Sequence, residues 1–423
     1  MIKKLLTNPV FSGVFIVTLG SFIGSIFSYL LQLFLGRSLS VVDFGTFSTL
    51  LSLSAILGVL GAAFSNSVVK KVTALKALCD FETLTDLFWK LSFWCLLFGA
   101  FFAILLFSAR QLFADFFHIS DTQALVAFSF FMGLTFLGSL PRAYLQGLLR
   151  FKALAFFTVA TAFLRLAFPV GAVIKGFGVD GVFGGMVLGS LLSYVVSFFL
   201  LKKNFRACER NGNLSEHYRT ILNFIGPIIF LQVGLTLLNN LDIILVKRLF
   251  DPESAGIYAG VVTVGKVLLF GAGSVSTIMF PLVAEAFSKG EDPKKELKKF
   301  LPIQLSLVIA GCAVFAFFPR LVTVLMFGEK YIPAVQYVPL FSGFVALNIM
   351  INFFILYFMA VEKFKVAYIL GLGVMLQAFL IWMFSDSLSS VVFINFCVAG
   401  VVLGVLAVYY KRVRLQPESQ QML

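Results

Sequence analysis

Three ionisable residues, Arg165, Asp242 and Lys266, stand inside long apolar stretches of the chain. An ionised side chain at mid-bilayer costs roughly 2.5–3.5 kcal/mol even on the gentler insertion scales, so it faces a bundle interior or water. At about 1.5 Å per helical residue, Lys266 lies about 16 Å and Asp242 about 9 Å below one membrane boundary. In one reading, Asp242 and Lys266 form a structural ion pair between neighbouring helices. In the other, Arg165 and Lys266 line a shared aqueous cavity and hold an anion, Arg through its planar fork and Lys as a compact point charge. Arg142, in PRAYLQG, is expected either to anchor to lipid headgroups or to guide the anion inward. Asn66, Asn239 and Asn240 are deep enough to need hydrogen-bond partners.

Other chemistry has little to work with. Two histidines (His118, His217) and five scattered cysteines offer no metal-ligand spacing and no disulfide framework, so no metal and no cofactor are expected. The GAG at Gly271–Gly273 and the GxG at Gly371–Gly373 lie inside apolar stretches with no strand before them, which argues against a nucleotide loop. The prediction is a chain without catalytic residues, not an enzyme.

The elements that must position these residues are membrane helices. The chain is 60% hydrophobic and 13% charged, against about 25% charged for soluble domains. Apolar stretches of about 20 residues, enough to cross a bilayer, run roughly 10–36, 44–69, 90–108, 123–141, 153–174, 180–201, 221–248, 255–281, 301–319, 335–360, 366–384 and 388–409. The fold class predicted is all-α, with twelve transmembrane helices. The first stretch is too long for a signal core and reads as a retained helix. With the N-terminus inside, cytoplasmic segments hold 24 of the 33 Lys and Arg residues, the opposite side holds 7, and Arg165 and Lys266 remain within spans. The positive-inside rule therefore places both termini in the cytoplasm. It also absorbs most of the net charge of +13, so no nucleic-acid partner is invoked.

The chain repeats itself. GRSLSVVDFGTF (36–47) aligns with KRLFDPESAGIY (247–258) at an offset of 211, pairing Arg37 with Arg248 and Gly45 with Gly256. YLQGLLRFK (144–152) aligns with YFMAVEKFK (357–365) at an offset of 213. This divides the chain into residues 1–201, a polar linker 202–220, and residues 221–423: two parallel six-helix bundles, an architecture used by transporters. Prolines 227, 281 and 339 fall near span ends, where they can kink helices. Small residues four apart (Gly181, Gly185, Gly189; Gly20, Gly24; Gly400, Gly404) predict close helix packing within a monomer.

The twelve spans in two halves, the LGRSLSVVDFGTFS loop, its echo KRLFDPESAGIYAG, and GLLRFK and EKFK resemble the polysaccharide-export branch of the MOP superfamily, the Wzx-type flippases. The resemblance covers nearly the whole chain. It implies a MATE-like fold in the cell inner membrane that moves a polyprenyl-pyrophosphate-linked oligosaccharide outward by alternating access. Other polysaccharide-assembly proteins would be its partners. It also implies a pyrophosphate head as the anion that Arg165, Lys266 and Arg142 would meet. Lipid II flippases of the superfamily carry two further spans. Many MATE-type drug exporters use an acidic residue in the first span, and Val10 to Gly36 contains none. A MATE-like ion-coupled exporter and a membrane enzyme of polysaccharide assembly are the alternatives.

Overall fold

The computed structural model describes residues 9–78, 80–202 and 226–412, and these contain helices and no strand. The polar linker and the charges Lys3, Lys4, Arg206, Arg210, Arg219 and Arg414 lie outside the described residues. In the first half the helices are α1 (Pro9–Ser38), α2 (Val41–Ala77), α3 (Phe81–Ser108), α4 (Arg110–Phe117), α5 (Thr122–Gly147), α6 (Phe151–Ile174) and α7 (Val179–Leu201). In the second half they are α8 (Gly226–Leu238), α9 (Leu241–Leu249), α10 (Pro252–Gly265), α11 (Val267–Ser288), α12 (Pro293–Phe317), α13 (Pro319–Phe327), α14 (Val338–Ala360), α15 (Val366–Phe384) and α16 (Leu388–Arg412). A 3-10 turn, Glu329–Ala334, precedes α14.

Among the described residues, ten helices are long and apolar enough to cross a membrane. The pair Ile229–Leu238 and Leu241–Leu249, bent by 46°, makes an eleventh crossing if taken as one. The protein is a multi-pass membrane protein. Two spans that look short in the sequence are long in space. α3 continues through Glu82, Asp86 and Lys90 because Asp80 caps its N-terminus and Asp86 pairs with Lys90 at 2.7 Å. α5 continues through Pro141 to Gly147.

The repeat is visible in backbone detail. Ser40 caps α2 and Asp251, 211 positions on, caps α10, each accepting a backbone N–H into its side chain. The Asp251 carboxyl is held below its usual range by its bonds to Ser254 and Glu253. Asp80 and Asp292 likewise cap α3 and α12. Both halves end their fourth long segment the same way. Arg150 N–H bonds Leu145 O at 3.0 Å and Lys363 N–H bonds Phe358 O at 2.9 Å. The residues between, Leu149 (φ 56) and Glu362 (φ 58), are forced left-handed. Leu149→Gly and Glu362→Gly are each expected to stabilise by about 0.5–1 kcal/mol, the left-handed penalty being partly offset by glycine's unfolded-state entropy. A thermal melt in detergent in which both variants fall below wild type would refute this.

The chain forms two compact units, one of Met1–Asp43 with Leu57–Ile229, the other of Phe44–Ile56 with Phe230–Leu423. α2 thus contributes Phe44–Ile56, near its N-terminal end, to the second unit and its remainder to the first. In the first unit, α1 packs on α6, α6 on α7, and α5 on both α3 and α7. Small residues make this possible. A methyl group on Gly185 would lie 2.6 Å from Pro169 N, and one on Gly20 2.9 Å from Ala155 Cβ, so both predicted seams are packed. The seam predicted at Gly404 is not, as nothing lies within 4 Å. Val72, Leu87, Phe88, Leu140 and Tyr144 centre the buried core of this unit. Lys76 Nζ and Arg150 Nη1 bond the carbonyls of Leu148 and Leu200 at helix ends (2.7 and 2.6 Å).

In the second unit α14 is largely enclosed, contacted by α10, α11, α12 and α16. Near its N-terminal end gather Phe44, Tyr258, Phe327, Tyr331 and Phe341, all buried. Repeat-related Gly45 and Gly256 meet backbone to backbone here, since a methyl group on Gly45 would lie 2.8 Å from Gly256 Cα. Lys247, counted as a loop charge in the sequence, is only 1% exposed and donates to Thr46 Oγ1 at 3.1 Å.

Candidate functional site

The second unit holds a polar cluster at two helix interruptions. α8 stops at Leu238 and α9 begins at Leu241 after the 46° bend. No proline causes it. Asn239 Nδ2 and Asn240 Nδ2 donate to Leu235 O and Thr236 O, each at 2.8 Å, and Gln377 Nε2 donates to Leu238 O at 3.3 Å. Amide side chains thus add donors to the carbonyls around the bend, where Asn240 N–H has shifted to Leu237 O at 3.0 Å.

A second interruption falls between α10 and α11, and the residue at it is Lys266. Gly265, just before it, packs against Phe341, and a methyl group there would also meet Val345 Cγ2 at 3.3 Å. Lys266 Nζ donates to Asn240 Oδ1 at 3.0 Å, so a single bond joins the two interruptions.

Asp242, in the first turn of α9, is completely buried. The ion pair with Lys266 expected in one reading of the sequence does not form: no contact within 4.0 Å joins the two, unlike Lys90–Asp86, Lys289–Glu285 and Lys299–Glu296. Asp242 Oδ2 instead accepts from Tyr258 Oη at 2.7 Å and from Asn395 Nδ2 at 3.2 Å. Asn395 Nδ2 also reaches Tyr258 Oη (2.9 Å), and Gln377 Nε2 donates to Asn395 Oδ1 (2.8 Å). Asp242 Oδ1 and Gln377 Oε1 are buried without a hydrogen-bond partner. A carboxylate so placed can take up a proton or a small cation. Among the described residues no three His, Cys, Asp or Glu side chains gather as a metal site.

The first unit holds the other predicted cations. Arg165, on α6, donates from Nη2 to Ser190 Oγ on α7 at 3.3 Å, and its guanidinium carbon lies 5.5 Å from the Phe131 ring centroid. Arg165 Nε and Thr161 Oγ1, one turn earlier on the same face, are buried and unpartnered. Arg142, exposed on α5, is near enough for its charge to act on Arg165. Among the described residues, no acid lies within 4.0 Å of either arginine. Two repelling cations with an open N–H edge and an open hydroxyl suit an oxyanion.

The structure therefore groups Arg142 with Arg165 in one unit and Asp242 with Lys266's partner Asn240 in the other. Asn66 is exposed, whereas Asn239 and Asn240 have the partners their depth required. Sequence reasoning missed Gln377, Asn395 and Tyr258 as members of the cluster. Gln377 and Asn395 could have been found by the same test that singled out the other amides, a lone polar residue within an apolar run.

Residues 34–336 match the family described as polysaccharide biosynthesis protein. No curated protein matches the chain. Among solved structures, the chain is similar to the lipid II flippase MurJ in an inward closed conformation (TM-score 0.73, 13% identity, covering 94% of this chain and 87% of that one). It is also similar to an inward-facing multidrug resistance MATE family transporter of the MOP superfamily (TM-score 0.70, 11% identity, covering 92% and 96%). A third is a MOP superfamily transporter from Pyrococcus furiosus noted for the reverse polarity of its binding pocket (TM-score 0.63, 14% identity, covering 96% of each). At these identities the likeness shows the fold. The family match spans most of the chain, and the chain belongs to the polysaccharide biosynthesis protein family, on the MOP superfamily fold.

Proposed function

We propose that the protein is a flippase that carries a polyprenyl-pyrophosphate-linked oligosaccharide from the cytoplasmic to the outer leaflet of the cell inner membrane. The observation that carries this reading is the pair of cations within the helix bundle, Arg165 with the charge of Arg142 acting on it and Lys266 beside Asn240, neither within 4.0 Å of an acid among the described residues. An anionic head is the natural partner for such groups, and the family supplies the pathway. Taking α10 and α11 as one interrupted crossing, and α8 with α9 as another, gives twelve spans. With both termini cytoplasmic, the two compact units are the lobes of a monomeric alternating-access transporter, close to residues 1–201 and 221–423. The protein moves its substrate without chemical change. The MurJ neighbour is a flippase by name, which favours this reading over a membrane enzyme.

One observation favours a second reading. Asp242, buried with one open oxygen, suits a coupling cation or a cationic drug, as in a MATE-like exporter. Proteoliposomes decide between them. Reconstituted protein is expected to move a fluorescent polyprenyl-pyrophosphate saccharide across the bilayer and to leave ethidium gradients unchanged. Ethidium transport without saccharide transport would reverse the assignment.

A further inference from the structure

We infer that Tyr258 and Asn395 are specificity determinants that hold Asp242 away from Lys266 and so leave the lysine free to bind an anion. The inference rests on the reading of Lys266 as an anion contact, and it concerns what makes that contact possible.

An acid and a base buried near each other in a medium of low dielectric attract strongly, because water is not there to weaken the field. Asp242 and Lys266 are near enough for their charges to act on each other. Left to themselves they would close into a pair, and a paired lysine offers little to a phosphate. The fold commits one oxygen of the acid and the ammonium of the base to other partners, leaving Asp242 Oδ1 open. Asp242 Oδ2 is occupied by Tyr258 Oη and Asn395 Nδ2. These donors are themselves fixed, Tyr258 by Asn395, Asn395 by Gln377, and Gln377 by the carbonyl of Leu238 that ends α8. Lys266 is given a neutral partner, and that partner is fixed as well. Asn240 Nδ2 is committed to Thr236 O, which turns Asn240 Oδ1 toward the ammonium. A neutral acceptor steadies the lysine without cancelling its charge.

The first copy of the repeat has no such arrangement. At the offset of 211, Asp242, Tyr258 and Lys266 stand opposite Leu31, Phe47 and Ala55. α1 and α2 run through without interruption in that copy. Base, acid and restraint are all features of the second copy alone.

The test uses the full-length protein in lipid nanodiscs, with inorganic pyrophosphate as the probe and affinity as the readout. Asn395→Leu and Tyr258→Phe each free Asp242 to reach Lys266, and each is expected to weaken pyrophosphate binding about tenfold, as closure of a buried charge pair would. Adding Asp242→Asn to either variant removes the competing acid and is expected to bring affinity back to within about threefold of wild type. A merely structural role for Asn395 or Tyr258 would not be rescued by removing the acid. Full affinity in both single variants, or a loss that Asp242→Asn does not repair in either, overturns the inference. Lys266→Ala serves as the reference. If it binds as tightly as wild type, the anion-contact reading itself fails and the inference falls with it. If it loses binding while the single variants do not, only the inference fails.

Discussion

Lys266→Ala and Arg165→Ala are each expected to reduce saccharide flipping at least about tenfold at unchanged protein level, the worth of one hydrogen bond to a charged group. Each side chain also fills space, so Lys266→Met and Arg165→Met are the better controls, keeping the aliphatic stem while removing the charge. They should be as impaired as the alanine variants. Arg165→Lys separates the two properties of arginine. It keeps the charge near Phe131 and Ser190 but loses the planar fork whose Nε edge is open. It is expected to be intermediate, because a point charge does not replace bidentate recognition. Proteoliposomes with matched protein content give the rates. Near-normal flipping by Lys266→Met and Arg165→Met would remove the basis for a cationic substrate site.

The second large effect is structural. Gly45→Val is expected to destabilise the second unit by about 2–3 kcal/mol or more, at the upper end of overpacking costs. The atoms in the way are Gly256 Cα at 2.8 Å and its N at 3.0 Å, and backbone cannot move aside as a flexible side chain can. The surroundings are also committed, with Phe44 on Phe327 and Tyr331 and Thr46 on buried Lys247. α2 contains its own control. Nothing lies within 4 Å of a methyl group on Gly58, so Gly58→Ala should be neutral or stabilising by up to about 1 kcal/mol from helix propensity. Melting temperatures in detergent measure both. Equal stability of Gly45→Val and Gly58→Ala would show that the glycine contact is not a tight one.

Much of the fold was legible because it is written in short-range features. Hydropathy marks helices whatever their neighbours. The 211-residue match between two loops paired Gly45 with Gly256, which touch, while the aligned caps Ser40 and Asp251 went unread. The misplaced features depend on tertiary context. Depth along a helix brought Asp242 and Lys266 into one comparison, but depth leaves rotation about the axis undetermined, and rotation is what gives each a different partner. The bend at Asn239–Asn240 has no proline to announce it, and amides add donors to the carbonyls around it, one of them from Gln377 more than a hundred residues away. Lys247 reads as a loop charge because the sequence does not show that Thr46 waits for it.

The interruption at Lys266 bears on how the chain enters the membrane. Insertion proceeds span by span, and a lysine at mid-span costs a candidate helix roughly 2.5–3.5 kcal/mol during its passage from the translocon. The partner that steadies Lys266, Asn240, lies on the preceding span and is itself set by the bend between α8 and α9. Membrane entry of residues 252–288 is therefore tied to the span made before it. A defect in α8 or α9 is expected to show first as failed membrane entry of the segment that follows.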